Sequence, residues 1–219
     1  LSRKLGVPGE GISGVDFGVE FLRQAGSSAD KPRVGRRVLV IGGGNVAVDV
    51  ARTALRLGAK QVEMVALEKR GEMPAYKEEI AATLAEGIAI HNGWGPNRIL
   101  GASAVAGIEL KECTRVFDEN GRFSPAYNQE NLETIDADQI IVAIGQAVSP
   151  DLLQHCDLST ARGCFTADPV TLETSVKGIF AGGENATGPG SVIQAVAAGK
   201  RAAESIERFL SGKDLRLDR

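Results

Sequence analysis

The chain has 219 residues, a formal net charge of −3 and 43% hydrophobic residues. A chain so close to neutral, with a slight acidic excess, lacks the basic surface that nucleic-acid binding requires. The ordinary hydrophobic share argues against disorder, and the longest apolar runs fall far short of the ~20 residues that a membrane helix needs. The first residues contain no apolar stretch typical of a signal peptide, so we expect a cytoplasmic protein.

Three cysteines occur, Cys113, Cys156 and Cys164, and they form no Cys-x-x-Cys motif. The two histidines, His91 and His155, lie far apart in the sequence. Zinc and iron–sulfur sites need clustered thiolate or imidazole ligands, so we expect this chain to bind no metal. Reduced thiols agree with a cytoplasmic location.

The first half of the chain predicts alternating strands and helices. A short helix is expected near residues 17–22, before the regular part begins. The predicted elements that follow are strands at 38–41, 62–67 and 88–90 and helices at 45–57 and 76–86. In the second of these helices, Ile80 and Leu84 are expected to face the core. Strands that alternate with helices are typical of a parallel sheet.

The second half has a different pattern. Residues 98–135 show short alternating stretches separated by turn residues, which predicts an antiparallel meander. A buried strand is expected at 138–144, a short strand at 178–181 and a long helix at 191–210. Ser191 and Gln194 have the spacing of a capping box at the start of this helix. Its buried stripe is expected to consist of Val192, Val196, Ala203, Ile206 and Leu210.

A glycine cluster between the first of the predicted buried strands and the helix after it has the spacing G-x-G-x-x-A. In dinucleotide-binding proteins, the first glycine permits a sharp turn and the second lets a pyrophosphate approach the backbone. The small third residue lets the helix pack closely against the strand, and the helix N-terminus attracts phosphate. The alternative is a tight turn without a ligand. The predicted dinucleotide-binding residues here are Gly42, Gly43, Gly44, Asn45, Val46 and Ala47.

Glu68 stands 21 residues after Ala47, directly at the end of the strand predicted at 62–67. A carboxylate at this position binds the hydroxyls of the adenine ribose and repels the 2′-phosphate of NADP. Lys69 and Arg70 come next and offer positive charge to such a phosphate. Because Glu68 is nearest the strand end, NAD is slightly favoured over NADP, with all three residues as candidate ligands.

A second cluster of glycines surrounds the start of the long helix, from Gly182 to Gly190. Glycines at a helix N-terminus allow a ligand to approach the backbone. They also suit a loop that closes an α/β domain, and the residues alone leave both interpretations open.

Four strings resemble one family. Residues 178–184, with the stretch 192–200 that follows, are similar to a segment of flavoproteins that have two dinucleotide-binding domains. Residues 5–10, 72–75 and 143–146 resemble further motifs of the glutamate synthase small (beta) subunit and its relatives. The resemblance covers essentially the whole chain and implies an α/β Rossmann-type, three-layer FAD/NAD(P)-binding fold.

The resemblance also implies a domain arrangement. Residues 1–29 would be a crossover segment from the FAD domain, residues 30–145 the NAD(P)-binding domain, and residues 146–219 the C-terminal part of the FAD domain. The N-terminal half of the FAD domain and the iron–sulfur cysteines of the family would lie outside this chain, in a missing region or a partner subunit. The chain is therefore expected to be a fragment.

In the family, hydride passes from NAD(P)H to FAD, and electrons continue to iron–sulfur centres. Glu184 stands where relatives have Asp, one methylene shorter. Hydride transfer to a flavin depends on orientation more than on a protein acid or base, so no catalytic residue is predicted. The further cofactor-binding residues that the resemblance implies are Ala143, Gly145, Gly183, Glu184, Gly190, Ser191 and Val192.

Two other functions remain open. One is a non-catalytic nucleotide-binding module. The other is a stand-alone NAD(P)-dependent dehydrogenase of the short-chain type, which usually needs a Tyr-x-x-x-Lys motif. Tyr76 and Tyr127 are followed four residues later by Ile80 and Asn131, so neither supplies it.

Overall fold

The computed structural model describes residues 1–27, 31–147, 157–161, 163–188 and 190–217. His155 and Cys156 lie outside the described residues. The chain divides into a larger compact unit, Ser2–Gln146, and a smaller one formed by Leu1 and Ala147–Arg219. Within the described ranges, no helix has both the length and the apolar character that crossing a membrane would need.

The larger unit contains a parallel sheet and an antiparallel sheet. Its elements in chain order are β1 (Val15–Phe17), α1 (Gly18–Gly26), β2 (Arg37–Ile41), α2 (Asn45–Arg56), β3 (Gln61–Ala66), a 3-10 turn (Arg70–Glu72), α3 (Lys77–Ala85), β4 (Ala89–Asn92), β5 (Trp94–Leu100), β6 (Gly107–Phe117), β7 (Phe123–Asp136) and β8 (Gln139–Val142). Among the described residues, the parallel sheet has the order β1-β8-β2-β3-β4 and the antiparallel sheet the order β5-β6-β7. The predicted α/β fold with a meander is confirmed.

Each face of the parallel sheet carries its own apolar core. Side chains alternate between the two faces of a strand, so consecutive residues of β2 enter different cores. Val38 and Val40 pack with residues of α1, α2 and α3. Leu39 and Ile41 pack instead with apolar residues of the meander. The described part of this unit therefore has three layers: helices, parallel sheet and antiparallel sheet.

Strand β1 was not predicted from the sequence. Its three residues pair in parallel with β8, from Val15 opposite Ile140 to Phe17 opposite Val142. Helix α1 follows directly and buries Phe21 in the core on the helical face. Residues that the resemblance assigns to a crossover segment thus add an edge strand and a helix to the larger unit.

Helix α3 buries two of its residues, Ile80 and Thr83. Ile80 is buried as predicted, but Leu84 is 43% exposed, so its predicted inward position is wrong. Thr83 is buried instead, and its hydroxyl donates to the Glu79 carbonyl at 2.7 Å, which satisfies the polar group inside the core. Contact through Ile80 and Thr83 turns Leu84 toward solvent.

The smaller unit contains β9 (Thr160–Ala161), β10 (Cys164–Phe165), α4 (Glu184–Thr187) and α5 (Val192–Leu210). The prediction of a strand at 178–181 is wrong. These residues, all described, form no strand, and Phe180 makes one isolated bridge, to Glu173. The long helix and its capping box are confirmed, since the Gln194 N–H donates to Ser191 Oγ at 3.3 Å.

The predicted buried stripe of α5 is also wrong. All five of its residues are exposed, with Val192 at 80% and Leu210 at 78%. The buried positions of α5 are Ala198 and Ser205. Small residues let the helix approach the rest of the smaller unit closely. The Cβ of Ala198 lies only 3.2 Å from the position that a Cβ on Gly182 would take. The large apolar side chains of the stripe are between 40% and 80% exposed. The residues of the stripe are Val192, Val196, Ala203, Ile206 and Leu210.

Candidate functional site

The glycine-rich loop lies at the carboxyl edge of the parallel sheet, between β2 and α2. Gly42 has a φ of +146°, and a Cβ there would stand 2.4 Å from the carbonyl oxygen of Ala143. Its N–H donates to the Val65 carbonyl at 2.9 Å. The backbone conformation and this close approach both require glycine, which agrees with the predicted sharp turn.

Gly44 faces open space. No described atom lies within 4 Å of the position that a Cβ on Gly44 would take. Gly44 is the N-cap of α2, whose first turn contains no acidic residue and receives no capping bond from a described side chain. The first N–H groups of a helix generally have no partner within the helix, and together with the positive end of the helix dipole they fit a pyrophosphate.

The residues after Gly44 hold the loop in place. Asn45 does not cap its own helix; its Oδ1 accepts a hydrogen bond from the Tyr76 N–H at 2.8 Å. Val46 is exposed beside the loop, and Ala47 is completely buried. The Cβ of Ala47 lies 3.2 Å from the Cβ position of Gly42, so a larger residue at 47 would separate α2 from the loop.

Glu68 lies two residues beyond β3 and contacts the same loop. A Cβ on Gly43 would stand 2.6 Å from Oε2 of Glu68. Burial raises the pKa of the Glu68 carboxyl, a hydrogen bond from its own backbone opposes that change, and the charge of Glu72 adds to it. A partly buried carboxylate beside the glycine-rich loop suits the hydroxyls of a ribose.

Arg70 is held by β4. Its Nε donates to Asn92 Oδ1 at 2.7 Å, and its Nη2 donates to the Ile90 carbonyl at 3.2 Å. Lys69 is exposed and precedes the 3-10 turn. Sequence reasoning missed Asn92; the available signal was a polar residue two positions after the strand predicted at 88–90.

The end of β8 completes this edge of the sheet. Ala143 donates its N–H to the Ile41 carbonyl at 2.8 Å, and Gly145, with a φ of +101°, accepts from the Arg3 N–H at 3.1 Å. Strand β8 lies between β1 and β2 in the parallel sheet, so its carboxyl end stands directly beside the glycine-rich loop that follows β2. Ala143 therefore lies next to Gly42, while Gly145 is two residues farther along.

A second string with the spacing G-x-G-x-x-G occurs at residues 9–14. It precedes β1, whereas a phosphate loop follows a strand and opens a helix. A Cβ on Gly9 would stand 2.4 Å from the Ile99 carbonyl oxygen, and one on Gly14 would stand 3.2 Å from the Asp138 carbonyl oxygen. These glycines make turns that pack against other backbone segments.

The smaller unit has an open groove of about 560 Å³ at the start of α5. All five residues predicted in this region line it: Gly183, Glu184, Gly190, Ser191 and Val192. Further lining residues, outside the predicted set of cofactor-binding residues, are Gly182, Asn185, Ala195, Gly199 and Ala202. Three of these are small residues of α5 spaced by four and three, a signal for one side of a helix.

Glu184 spans the loop beside this groove. Its Oε1 accepts a hydrogen bond from the Gly190 N–H at 3.3 Å. Gly183, at the N-cap of α4, has a φ of +64° and a ψ of −151°, a conformation that strongly favours glycine. The Ser191 N–H donates to Gln194 Oε1 at 2.7 Å, so the capping box rigidifies the entry to α5.

The profile of the pyridine nucleotide-disulphide oxidoreductase family matches residues 1–199. The chain belongs to this family. It is 38% identical over 215 residues to the NADP(+)-dependent formate dehydrogenase subunit beta of Moorella thermoacetica, covering 95% of this chain and 30% of the relative. It is 28% identical over 227 residues to the glutamate synthase [NADPH] small chain of Azospirillum brasilense, covering 97% and 47%. The resemblance to glutamate synthase small subunits is confirmed.

The chain thus spans about a third to a half of the length of these two relatives of the pyridine nucleotide-disulphide oxidoreductase family. Further relatives are named for NAD and for NADPH. Thioredoxin reductase of T. acidophilum has a similar structure, with a TM-score of 0.73 and 20% identity over 97% of this chain and 63% of that one. At this identity the likeness concerns the fold, and it agrees with the predicted FAD/NAD(P) Rossmann type.

The described ranges of this family member contain no group of three or more His, Cys, Asp or Glu side chains arranged to hold a metal ion. Cys113 and Cys164 are both free thiols. Burial raises the pKa of the Cys113 thiol, a backbone hydrogen bond with Arg115 opposes this, and the charge of Glu68 adds to it. A thiol with a raised pKa is a poor nucleophile at neutral pH.

Proposed function

We propose that this chain is the nicotinamide-dinucleotide-binding part of a flavoprotein oxidoreductase that passes hydride from NAD(P)H to FAD. The observation that carries the proposal is the loop at Gly44: open space where a Cβ would stand, and an α2 N-terminus that no described side chain caps, at the carboxyl edge of a parallel sheet. This arrangement fits the pyrophosphate of a dinucleotide. Membership of the pyridine nucleotide-disulphide oxidoreductase family supports it independently.

The residues of the larger unit bind and orient the nucleotide. The first N–H groups of α2 donate to the pyrophosphate, and the glycine at 44 lets the phosphate approach. Glu68 accepts hydrogen bonds from the adenine ribose. Hydride transfer between two cofactors requires alignment rather than an acid or base, so these residues act by positioning.

The groove of the smaller unit would contact FAD, which, when bound, accepts hydride and releases electrons one at a time. Gly183 and Gly190 line this groove and present backbone to it, while Glu184 connects the two ends of the loop. A further protein part, either more of the same chain or a partner subunit, would supply the FAD pyrophosphate loop and the iron–sulfur centres. The exposed side chains of α5, with Ile193 82% exposed, support an additional covering part.

NADH is the proposed nicotinamide cofactor, because Glu68 contacts the loop while Arg70 is bound to β4. The names of the two relatives compared above contain NADP, which favours the other cofactor. The two cofactors differ only in the 2′-phosphate, so direct comparison of their affinities decides between them.

Calorimetric titration of the chain with NADH tests the proposal. We expect saturable binding that Gly44→Val weakens by about tenfold or more, because the valine side chain occupies the space of the pyrophosphate. Gly11→Val is the matched control: Gly11 also has no described atom within 4 Å of its Cβ position and lies outside the loop. Unchanged affinity in a folded Gly44→Val variant would show that the loop is only a turn.

A further inference from the structure

We propose that Asn92 determines the preference between NADH and NADPH by holding the Arg70 guanidinium against β4. The inference rests on the proposed nucleotide site and concerns a residue outside the glycine loop. In this role Asn92 is a positioning residue, since it acts through Arg70 and Glu68.

The side chain of Asn92 connects the two charged residues on either side of Lys69. Its Nδ2 donates to the Glu68 carbonyl at 2.9 Å, and its Oδ1 accepts from Arg70 Nε at 2.7 Å. Asn92 ends β4 and pairs in register with Ala66, the last residue of β3. One amide thus fixes the segment in which the sequence predicts recognition of the adenine ribose.

These contacts occupy one side of the guanidinium. Nε and Nη2 together form the side-on pair of donors with which arginine grips a phosphate or carboxylate at two points. In this structure both are used, Nε by Asn92 Oδ1 and Nη2 by the Ile90 carbonyl. Arg70 therefore cannot clamp a 2′-phosphate through this pair unless it leaves β4.

With Arg70 bound to β4, the glycine loop keeps the carboxylate of Glu68 as a charged neighbour. That charge repels a 2′-phosphate and accepts bonds from ribose hydroxyls. If Asn92 is removed, Arg70 loses its 2.7 Å partner and becomes available to the phosphate. NADPH should then gain affinity relative to NADH.

The backbone near Asn92 has bonds that do not depend on this side chain. The Gly93 N–H donates to the Ala66 carbonyl at 2.9 Å and to the Glu68 carbonyl at 3.3 Å. Asn92→Ala should therefore fold with β4 in place, so its effect on nucleotide choice is measurable.

Side-by-side titrations with NADH and NADPH test the inference. We expect Asn92→Ala to shift the ratio of the two dissociation constants toward NADPH by about fivefold to tenfold, the range of a freed charge-assisted contact. In the Arg70→Ala background, adding Asn92→Ala should leave the ratio at its Arg70→Ala value, because the two residues act as a unit. NMR of the nucleotide-free protein measures how fast the Arg70 Nε–H exchanges with water. We expect this exchange to be faster in Asn92→Ala, because the acceptor of that N–H is gone.

The outcomes separate this inference from the function on which it rests. If the unmodified chain binds neither nucleotide, the proposed function is wrong and the inference with it. If it binds both and Asn92→Ala leaves the ratio unchanged or shifts it toward NADH, the role of Asn92 is wrong and the nucleotide site stands. A shift of equal size with and without Arg70 would also overturn the inference, because the effect would then not pass through Arg70.

Discussion

The carboxylate of Glu68 lies against the backbone of Gly43, so closely that a Cβ on Gly43 would stand 2.6 Å from Oε2. The loop after β2 and the side chain of Glu68, two residues beyond β3, are therefore in direct contact. Phosphate and adenine ribose are adjacent parts of a dinucleotide, so a site for both needs this proximity. Glycine at 43 leaves room for the carboxylate, while Gly42 and Gly44 serve other purposes.

Gly42→Ala and Gly44→Ala should lower the free energy of unfolding by different amounts. Gly42 has a φ of +146° and its added Cβ would meet the Ala143 carbonyl oxygen, so we expect Gly42→Ala to cost about 2–4 kcal/mol of unfolding free energy. Gly44 has neither constraint, so Gly44→Ala should cost less than about 1 kcal/mol. Urea unfolding measures both, and equal losses would contradict the assignment of roles.

Glu68→Ala should change which cofactor binds more tightly. At ~4 Å, repulsion between two unit charges amounts to roughly 1–4 kcal/mol across effective dielectric constants of 80 to 20, or about one to three decades of affinity. We expect the unmodified chain to prefer NADH and the variant to lose or reverse that preference. Paired titrations with NADH and NADPH measure it. Tighter NADPH binding by the unmodified chain would transfer the ribose contact to Lys69 or Arg70.

Much of the larger unit could be predicted because its signals are local. The apolar run of β2 and the spacing of apolar residues in α2 define a strand and a helix without reference to the rest of the chain. Strand β1 has three residues and exists through pairing with β8, more than 120 residues away. Its own residues carry too weak a pattern, so the sequence could not reveal it.

The wrong prediction of a buried apolar stripe on α5 has a different cause. Periodicity identified the apolar face of α5, but it does not tell whether a partner covers that face, and the described part of the smaller unit packs against Ala198 and Ser205 instead. At the site, the pattern predicted the loop and Glu68. It could not predict the bonds between Arg70 and Asn92, because rotamers and contacts between strands fix them.

The chain as given, purified alone, should contain far less than one FAD per molecule. The groove at the start of α5 is open, and the neighbouring side chains of Val192 and Ile193 are exposed to water. A cofactor held on one side only loses most of the apolar burial that retains it. The ratio of visible flavin absorbance to protein concentration measures the content. Stoichiometric FAD would show that residues 146–219 suffice to bind it.

Glu68→Gln should stabilise the protein, and the gain should depend on pH. Burial is the main cause that raises the pKa of Glu68, so the folded state holds the proton more tightly than the unfolded chain. Stability of the unmodified protein therefore falls as pH rises through the ordinary pKa of glutamate, about 4.3, and up through the raised folded value, where the loss is complete. Glutamine does not ionise and avoids this loss.

Urea unfolding should show a larger gain from Glu68→Gln at about pH 7 than at about pH 4, with the acid measurement as the internal control. A gain that stays constant between the two, or a destabilisation at neutral pH, would mean that the Glu68 carboxylate is better solvated or better bonded than its contact with Gly43 indicates.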